Sequence, residues 1–339
     1  MPGPGNKKYL GIREIANLAG VSIATVSRVL NAPELTSDAT RKKVMAIIEK
    51  YDYVPNQAAK NLFSGTSTSI ALFVYDMANP LYINIVQHLN RIAFENNFTL
   101  IICDAGNSYE REAKYYNYCK SIRTSGIIYT AGPERDSFGD DWGNTSAMPI
   151  VLYDRLAPKN KNCYTIRSNH SKGMALLVDY LYGLGHQKIG YITGPLSILS
   201  ARERLEGFRQ SMDRLGLPVP ARYIREGGFE VASGTKAFDY FYSMIDPPTA
   251  VLAANDQCAR GFIMRANALG VKVPEDFSVC GFNGVDSETF YPTITTVNQD
   301  VEKISELMFD LIVNPPAPDA PKEIVVDVSM RVGSTAQRL

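Results

Sequence analysis

The chain is poor in the residues that carry catalysis and in the runs that enter membranes. Its 339 residues include three histidines, His88, His170 and His186, which stand far apart and form no metal-spaced pair. There is no GxSxG, no P-loop and no GxGxxG after a strand. The sequence therefore calls for no cofactor, no metal and no enzyme. The one tryptophan, Trp142, follows Asp140 and Asp141 in a stretch that reads as solvated loop. Five cysteines, Cys103, Cys119, Cys163, Cys258 and Cys280, are odd in number and never form a CxxC pair. Several sit in apolar runs such as TLIIC and FSVCGF, which excludes a disulfide framework, predicts buried thiols and fits a reducing compartment. No apolar run approaches the ~18 residues of a membrane span. The N-terminal MPGPGNKKYLGIRE lacks the apolar core of a signal peptide. The expected location is cytoplasmic, without a membrane partner.

Net charge is missing too, since 35 Lys and Arg balance 35 Asp and Glu. The balance conceals an asymmetry. Residues 1–64 carry nine Lys/Arg and five Asp/Glu, a surplus of +4, and the remaining residues carry the matching −4. A small basic segment on a mildly acidic body suits a DNA-binding head joined to a regulatory body.

In GIREIANLAGVS, Ile12, Ile15, Ala16 and Ala19 follow the i, i+3, i+4, i+7 spacing of one helical face. Gly20 ends that helix where a left-handed residue is needed. Val21 plugs the turn and Ser22 caps a second helix, VSIATVSRVLN, whose Val26, Val29 and Leu30 point inward. A third helix follows in TSDATRKKVMAIIEKY, capped near Ser37, with Val44, Ile47, Ile48 and Tyr51 inward and Arg41, Lys42 and Lys43 outward. Helix, four-residue turn, helix is the helix-turn-helix arrangement, whose second helix enters the major groove of DNA. Arg28 is then placed for a guanine edge, and Ile23 and Ala24 for thymine methyls. Ser22, Thr25, Ser27 and Asn31 are placed for phosphates, which position the head without reading sequence. Tyr53 joins the DNA-facing set.

GIREIANLAGVSIATVSRVLN followed by TRKKVMAIIEKYDYVPNQAAKNL resembles the head of the LacI/GalR (lactose-repressor) family of bacterial transcription regulators. The shared pattern is I-x-[DE]-[IV]-A-x-x-A-G-V-S-x-x-T-V-S-R-V-L-N. Gly11 stands where a capping Thr is usual, and Gly caps almost as well. The specificity positions Ile23 and Ala24 are both apolar. The next stretch, VPNQAAKNLFSGTSTS, reads as a short helix opened by Pro55 and ended by Gly65. On its own it is too short to be stable in water. The resemblance makes it a hinge helix on the pattern P-N-x-x-A-R-x-L, matched by Pro55, Asn56, Ala59 and Leu62. It implies pairing of two hinges through Ala59 and a Leu62 wedge in the minor groove. Lys60 replaces the usual Arg and keeps a phosphate contact but not a bidentate one.

From Ser69 onward apolar runs alternate with helical patterns, twice over, which predicts an α/β body of two lobes built on parallel sheets. A ligand cleft is expected outside the carboxyl ends of the strands. The resemblance implies a periplasmic-binding-protein-like pair of lobes with three chain crossings, near 164–167, 292–296 and 322–324. The divisions that follow are a helix-turn-helix domain at 9–54, a hinge helix and linker at 55–67, and a body at 68–339. Within the body the N-lobe takes 68–165 and 296–322, and the C-lobe 166–293 and 323–339. The closing MRVGST matches the family's R-x-x-S-T ending.

Strand ends and the turns after them supply the cleft candidates: Leu81, Tyr82, Thr130, Asp154, Arg204, Phe229, Asn255, Asp256 and Asn283. By the resemblance Arg204 clamps the ligand, Asp154 and Asn255 take hydroxyls, and Phe229 or Tyr82 stacks. Asp256 stands between two readings, ligand contact and support of its turn. Asn283 and Asn169 each replace a usual Asp, which weakens an inference from sugar-binding relatives. Arg202 reads as a solvated surface residue, His186 as a maker of a local backbone bond, and the YYNY run at 115–118 as half-buried packing. The function expected is a dimeric DNA-binding transcription regulator, a repressor on a pseudo-palindromic operator, controlled by a small sugar-like effector. The competing readings are a carbohydrate-binding protein without a DNA role and an α/β enzyme. A basic head serves neither.

Overall fold

The computed structural model describes residues 10–55, 67–132, 148–157, 163–285, 291–316 and 322–339. The chain divides into two compact units, Met1–Thr66 and Ser67–Leu339. The expected hinge helix falls almost wholly on residues 56–66, outside the described residues, and with it Asn56, Ala59, Lys60 and Leu62. Asp140, Asp141 and Trp142 lie outside them as well.

In the first unit, α1 (Ile12–Ala19), α2 (Ile23–Asn31) and α3 (Asp38–Lys50) enclose Ile15, Ala16, Ala19, Val26, Val29 and Val44. The caps are those the sequence requires. Glu14 accepts the Gly11 N–H, Ser22 accepts from Thr25 N, and Ser37 accepts from Thr40 N. Gly20 takes φ +61°, a left-handed turn residue that costs L side chains strain. Tyr51 departs from expectation. It is exposed, and Tyr53, beyond the helix end, packs on the core in its place. Asp52, at φ +49°, turns the chain so that Tyr53 and not Tyr51 faces inward.

The second unit contains two six-stranded sheets. The first is built from β1 (Ser69–Val74), α4 (Pro80–Glu95), β2 (Thr99–Asp104), α5 (Tyr109–Ser121), β3 (Gly126–Tyr129), β4 (Ile150–Tyr153) and β5 (Cys163–Ser168). The second lobe follows with α6 (His170–Gly183), β6 (Ile189–Thr193), α7 (Leu199–Arg214), β7 (Ile224–Glu226), α8 (Val231–Tyr242) and β8 (Ala250–Leu252). It continues with α9 (Asp256–Ala268), β9 (Ser278–Asn283) and β10 (Thr295–Gln299). The chain then returns through α10 (Val301–Val313) and β11 (Glu323–Val326), and ends with β12 (Val328–Arg331). The orders are β11-β5-β4-β3-β1-β2 and β12-β10-β9-β8-β6-β7. All pairings in the first sheet are parallel; in the second, β12 runs antiparallel to β10. Side chains of α10 share a core with β1 and α4, which fixes α10 in the first lobe.

These memberships correct the expected crossings. All of β5 belongs to the first sheet, so the first crossing comes after Ser168. Strand β10 belongs to the second sheet, so the next comes after Gln299 and not at 292–296. Strand β11 pairs with β5, so the last falls at Asp327. Hydrophobic alternation marks a strand but not the sheet it joins, and each crossing was read a few residues early. The chain end closes the second sheet: Thr335 is fully buried, donates to Val279 O and accepts from Thr295 N. All five cysteines are free and buried.

Candidate functional site

On α2 the exposed residues are Ser22, Ile23, Ala24, Arg28 and Asn31, with Thr25 and Ser27 half-buried beside them. Ser22 and Thr25 share a hydroxyl contact of 2.8 Å, and Asn31 donates to Ser27 O at 2.9 Å. These bonds stiffen the flanks of the helix and leave Ile23, Ala24 and Arg28 outward. Lys42 and Lys43 are exposed on α3, while Arg41 pairs with Asp38 at 2.7 Å. Tyr53, expected to face DNA, is half-buried against the head core, and burial raises its phenol pKa.

In the second unit the polar side chains converge where the lobes meet. Arg204, on α7, is buried among groups it donates to: His170 Nδ1 at 3.2 Å, Ala254 O at 2.6 Å and Asn283 Oδ1 at 3.3 Å. Its guanidinium lies 3.8 Å from the Phe282 ring centroid and 5.9 Å from that of Phe229. Burial lowers its pKa, and the surrounding tyrosines and Asp154 oppose that fall. Asn283 Oδ1 also accepts from Gln299 Nε2 at 2.7 Å, and Gln299 Oε1 accepts from Tyr153 and Ser168 of the first lobe. The network thus runs from one sheet to the other without leaving the interior.

Asp154 and Asn283 both sit at strand ends with positive φ, +50° and +109°. Strained backbone of this kind gathers at functional positions. Phe229 packs on the apolar cores of both lobes and lies over Gly194, where any Cβ would meet the ring at 2.5 Å. Tyr82 is buried, and burial together with the Asp154 charge holds its phenol well above the usual range. A recess between the lobes is lined by Asn79, Pro80 and Leu81 from the first and by Asn255, Asp256, Gln257, Asn283 and Val285 from the second. Leu81, Tyr82, Asp154, Arg204, Phe229 and Asn283 are therefore brought to one junction.

Three of the expected cleft residues also bond within the protein, Asn255 and Asp256 while lining the recess. Thr130 donates to Phe73 O and accepts from Tyr75 N, which pins the end of β3 to β1. Asn255 caps α9 through Cys258 N and donates to Phe229 O, so both ends of its amide hold loops. Asp256 accepts from Thr296 Oγ1 and Val285 N, and so holds the turn after β9. Asn169 caps α6 and donates to Asp327. Arg202 is half-buried and donates to Leu196 O, and His186 bonds Thr249 and Gln337 O, a distant strand and the chain end. His170, Gln299 and Phe282 were not found from sequence. Each acts through neighbours remote in the chain.

Residues 11–56 match the family described as bacterial regulatory proteins, lacI family, and residues 178–334 match the periplasmic binding protein-like domain. The HTH-type transcriptional repressor PurR of Vibrio vulnificus is 30% identical over 302 residues, covering 89% of this chain and 90% of that protein. The chain belongs to the lacI family of bacterial regulatory proteins. The lac repressor dimer bound to operator and the anti-inducer ONPF superposes with a TM-score of 0.84 at 28% identity, over 97% of this chain and all of that one. The transcriptional regulator CelR in complex with cellobiose gives 0.69 at 25% identity, over 96% and 100%. This lacI-family protein is a DNA-binding transcription regulator and not an enzyme. Among its described residues no helix is long and apolar enough to cross a membrane.

Proposed function

We propose that the protein is a cytoplasmic repressor that binds a pseudo-palindromic operator as a homodimer and changes its grip when a small sugar-like molecule enters the interlobe cleft. The observation that carries this reading is α2, a capped helix on a basic head with Ile23, Ala24 and Arg28 turned outward. The divisions 9–54, 55–67 and 68–339 serve as head, hinge and body. Ser22, Thr25, Ser27 and Asn31 position the head on phosphates, and Asn56, Ala59, Lys60 and Leu62 form the hinge contact. Two heads are needed because one recognition helix reads few base pairs. In the cleft Arg204 grips the ligand, Phe229 and Tyr82 offer aromatic faces, and Asp154, Asn283 and Leu81 complete the wall. The relatives support this: the transcriptional repressor PurR, a lac repressor seen on its operator and a regulator seen with cellobiose.

The test is selection from a random DNA pool by the purified protein, followed by a thermal-shift panel of sugars, sugar phosphates, nucleosides and purines. An inverted repeat should be enriched by the native chain and not by Arg28→Ala. A compound at 100 times its Kd should add roughly 2.7 kcal/mol to stability, and Arg204→Ala should abolish that shift. A pool that leaves the selection unenriched would overturn the DNA role.

A further inference from the structure

Arg204 is buried, no carboxylate among the described residues contacts it directly, and the group on its Nε is an imidazole. His170, the first residue of α6, is itself buried. Its Nδ1 lies 3.2 Å from Arg204 Nε, and its Nε2 lies 3.0 Å from Asp154 Oδ1, close to the carboxylate though not aligned on it as a hydrogen bond. Asp154 stands just after β4 in the first lobe, and its Oδ1 is held by Ser168 N–H at 3.1 Å. The ring also packs against Phe282, centroids 5.8 Å apart. We propose that His170 positions Arg204 for its ligand and joins it to the opposite lobe, one imidazole standing between the Arg204 guanidinium and the Asp154 carboxylate.

Donor chemistry fixes the ring. A guanidinium can only donate, so Nδ1 presents a lone pair and the ring proton sits on Nε2, facing Asp154. This arrangement orients the guanidinium without neutralising it. A carboxylate in the same place would compete with the ligand for the planar fork. A neutral acceptor holds Nε–H and leaves the charge and the remaining N–H groups for the cleft. Ala254 and Asn283, which accept from Arg204, and Phe282, which packs on it, belong to the second lobe. His170 to Asp154 is thus a shorter route to the first lobe than the one through Asn283, Gln299 and Tyr153. A ligand that draws on Arg204 then acts on both lobes at once. This inference rests on the cleft being the ligand site, but its tests use no ligand, so the two can fail separately.

The experiment uses the full-length protein labelled with 15N at histidine and arginine, with three imidazole rings to assign. His170 should show a protonated Nε2 and an unprotonated Nδ1, and the Arg204 Nε–H should give a protected resonance. His170→Phe keeps the ring against Phe282 but removes both nitrogens. His170→Asn keeps an acceptor near Nδ1 without reaching Asp154. The interlobe distance is read by spin labels at Asn90→Cys and Lys236→Cys, both exposed positions, the native thiols being buried. His170→Phe should lose the Arg204 resonance and broaden the distance distribution. Arg204→Lys should broaden it equally, and the double variant should broaden it no further. His170→Asn should keep the resonance yet broaden the distance. A proton on Nδ1, an unchanged Arg204 signal in His170→Phe, or additive effects of the two substitutions would overturn the proposal. If His170→Phe does not fold, the native tautomer and the His170→Asn variant still decide it.

Discussion

Asp256 is buried at the start of α9, and its two oxygens are taken by Thr296 Oγ1 at 2.5 Å and Val285 N at 3.1 Å. Burial outweighs these bonds and pushes its carboxyl pKa up to about 7 from 3.8. Between those values the folded protein holds a proton that the unfolded chain has released. Stability from this group is therefore full below about pH 4 and falls as pH rises toward 7, by roughly 1.4 kcal/mol per unit. Asp256→Asn cannot titrate. Urea unfolding across this window should show a shallower fall for the variant, together with a loss of about 1–3 kcal/mol at low pH from the mismatched amide. Parallel pH profiles for the two proteins would show that Asp256 does not hold the proton. Sequence could not choose between the ligand and turn readings of this residue, because its partners lie 29 and 40 positions away.

Elements were more legible than their partners. The capped helices α1 to α3 follow from 3.6-residue periodicity and local signals, which act within a few residues and need no tertiary context. The runs SIALFV, TLIIC, GIIY, IVLY, IGYIT and VCGF all became strands for the same reason. Nothing local announces that β10 stays in the second lobe, or that a solitary histidine will face an arginine 34 residues on. The recognition helix offers a check at this scale. Ser22→Ala removes the bond to Thr25 N and should cost the head about 1 kcal/mol. Calorimetry of the whole chain should show the loss in the transition of the first unit alone. An equal fall in the transition of the second unit would contradict the division at residue 66.

The two lobes of the body are joined by more than three strands of chain. Arg167, on β5 of the first sheet, pairs with Glu203 on α7 of the second lobe and with Glu323 on β11 of its own. Arg167 and Glu203 are each about a quarter exposed, at 24% and 23%, so water screens the pair less than it would at an open surface. Burial raises the Glu203 pKa, with the Arg167 charge pulling the other way. Glu203 precedes Arg204 in the chain, so an ion pair at the rim and the network of the interior load the same turn of helix. Arg167→Met retains the aliphatic stem but leaves two carboxylates without their cation. It should destabilise the body by about 1–3 kcal/mol, between the values for an exposed and a fully buried pair. Glu203→Gln alone should cost less, because Arg167 keeps Glu323. In Arg167→Met, however, Glu203→Gln should restore part of the loss by removing one of the stranded charges. A double-mutant cycle by urea unfolding reads this directly. Strict additivity would mean that the lobes are held at this edge by packing alone, and that the load on α7 comes only through Arg204.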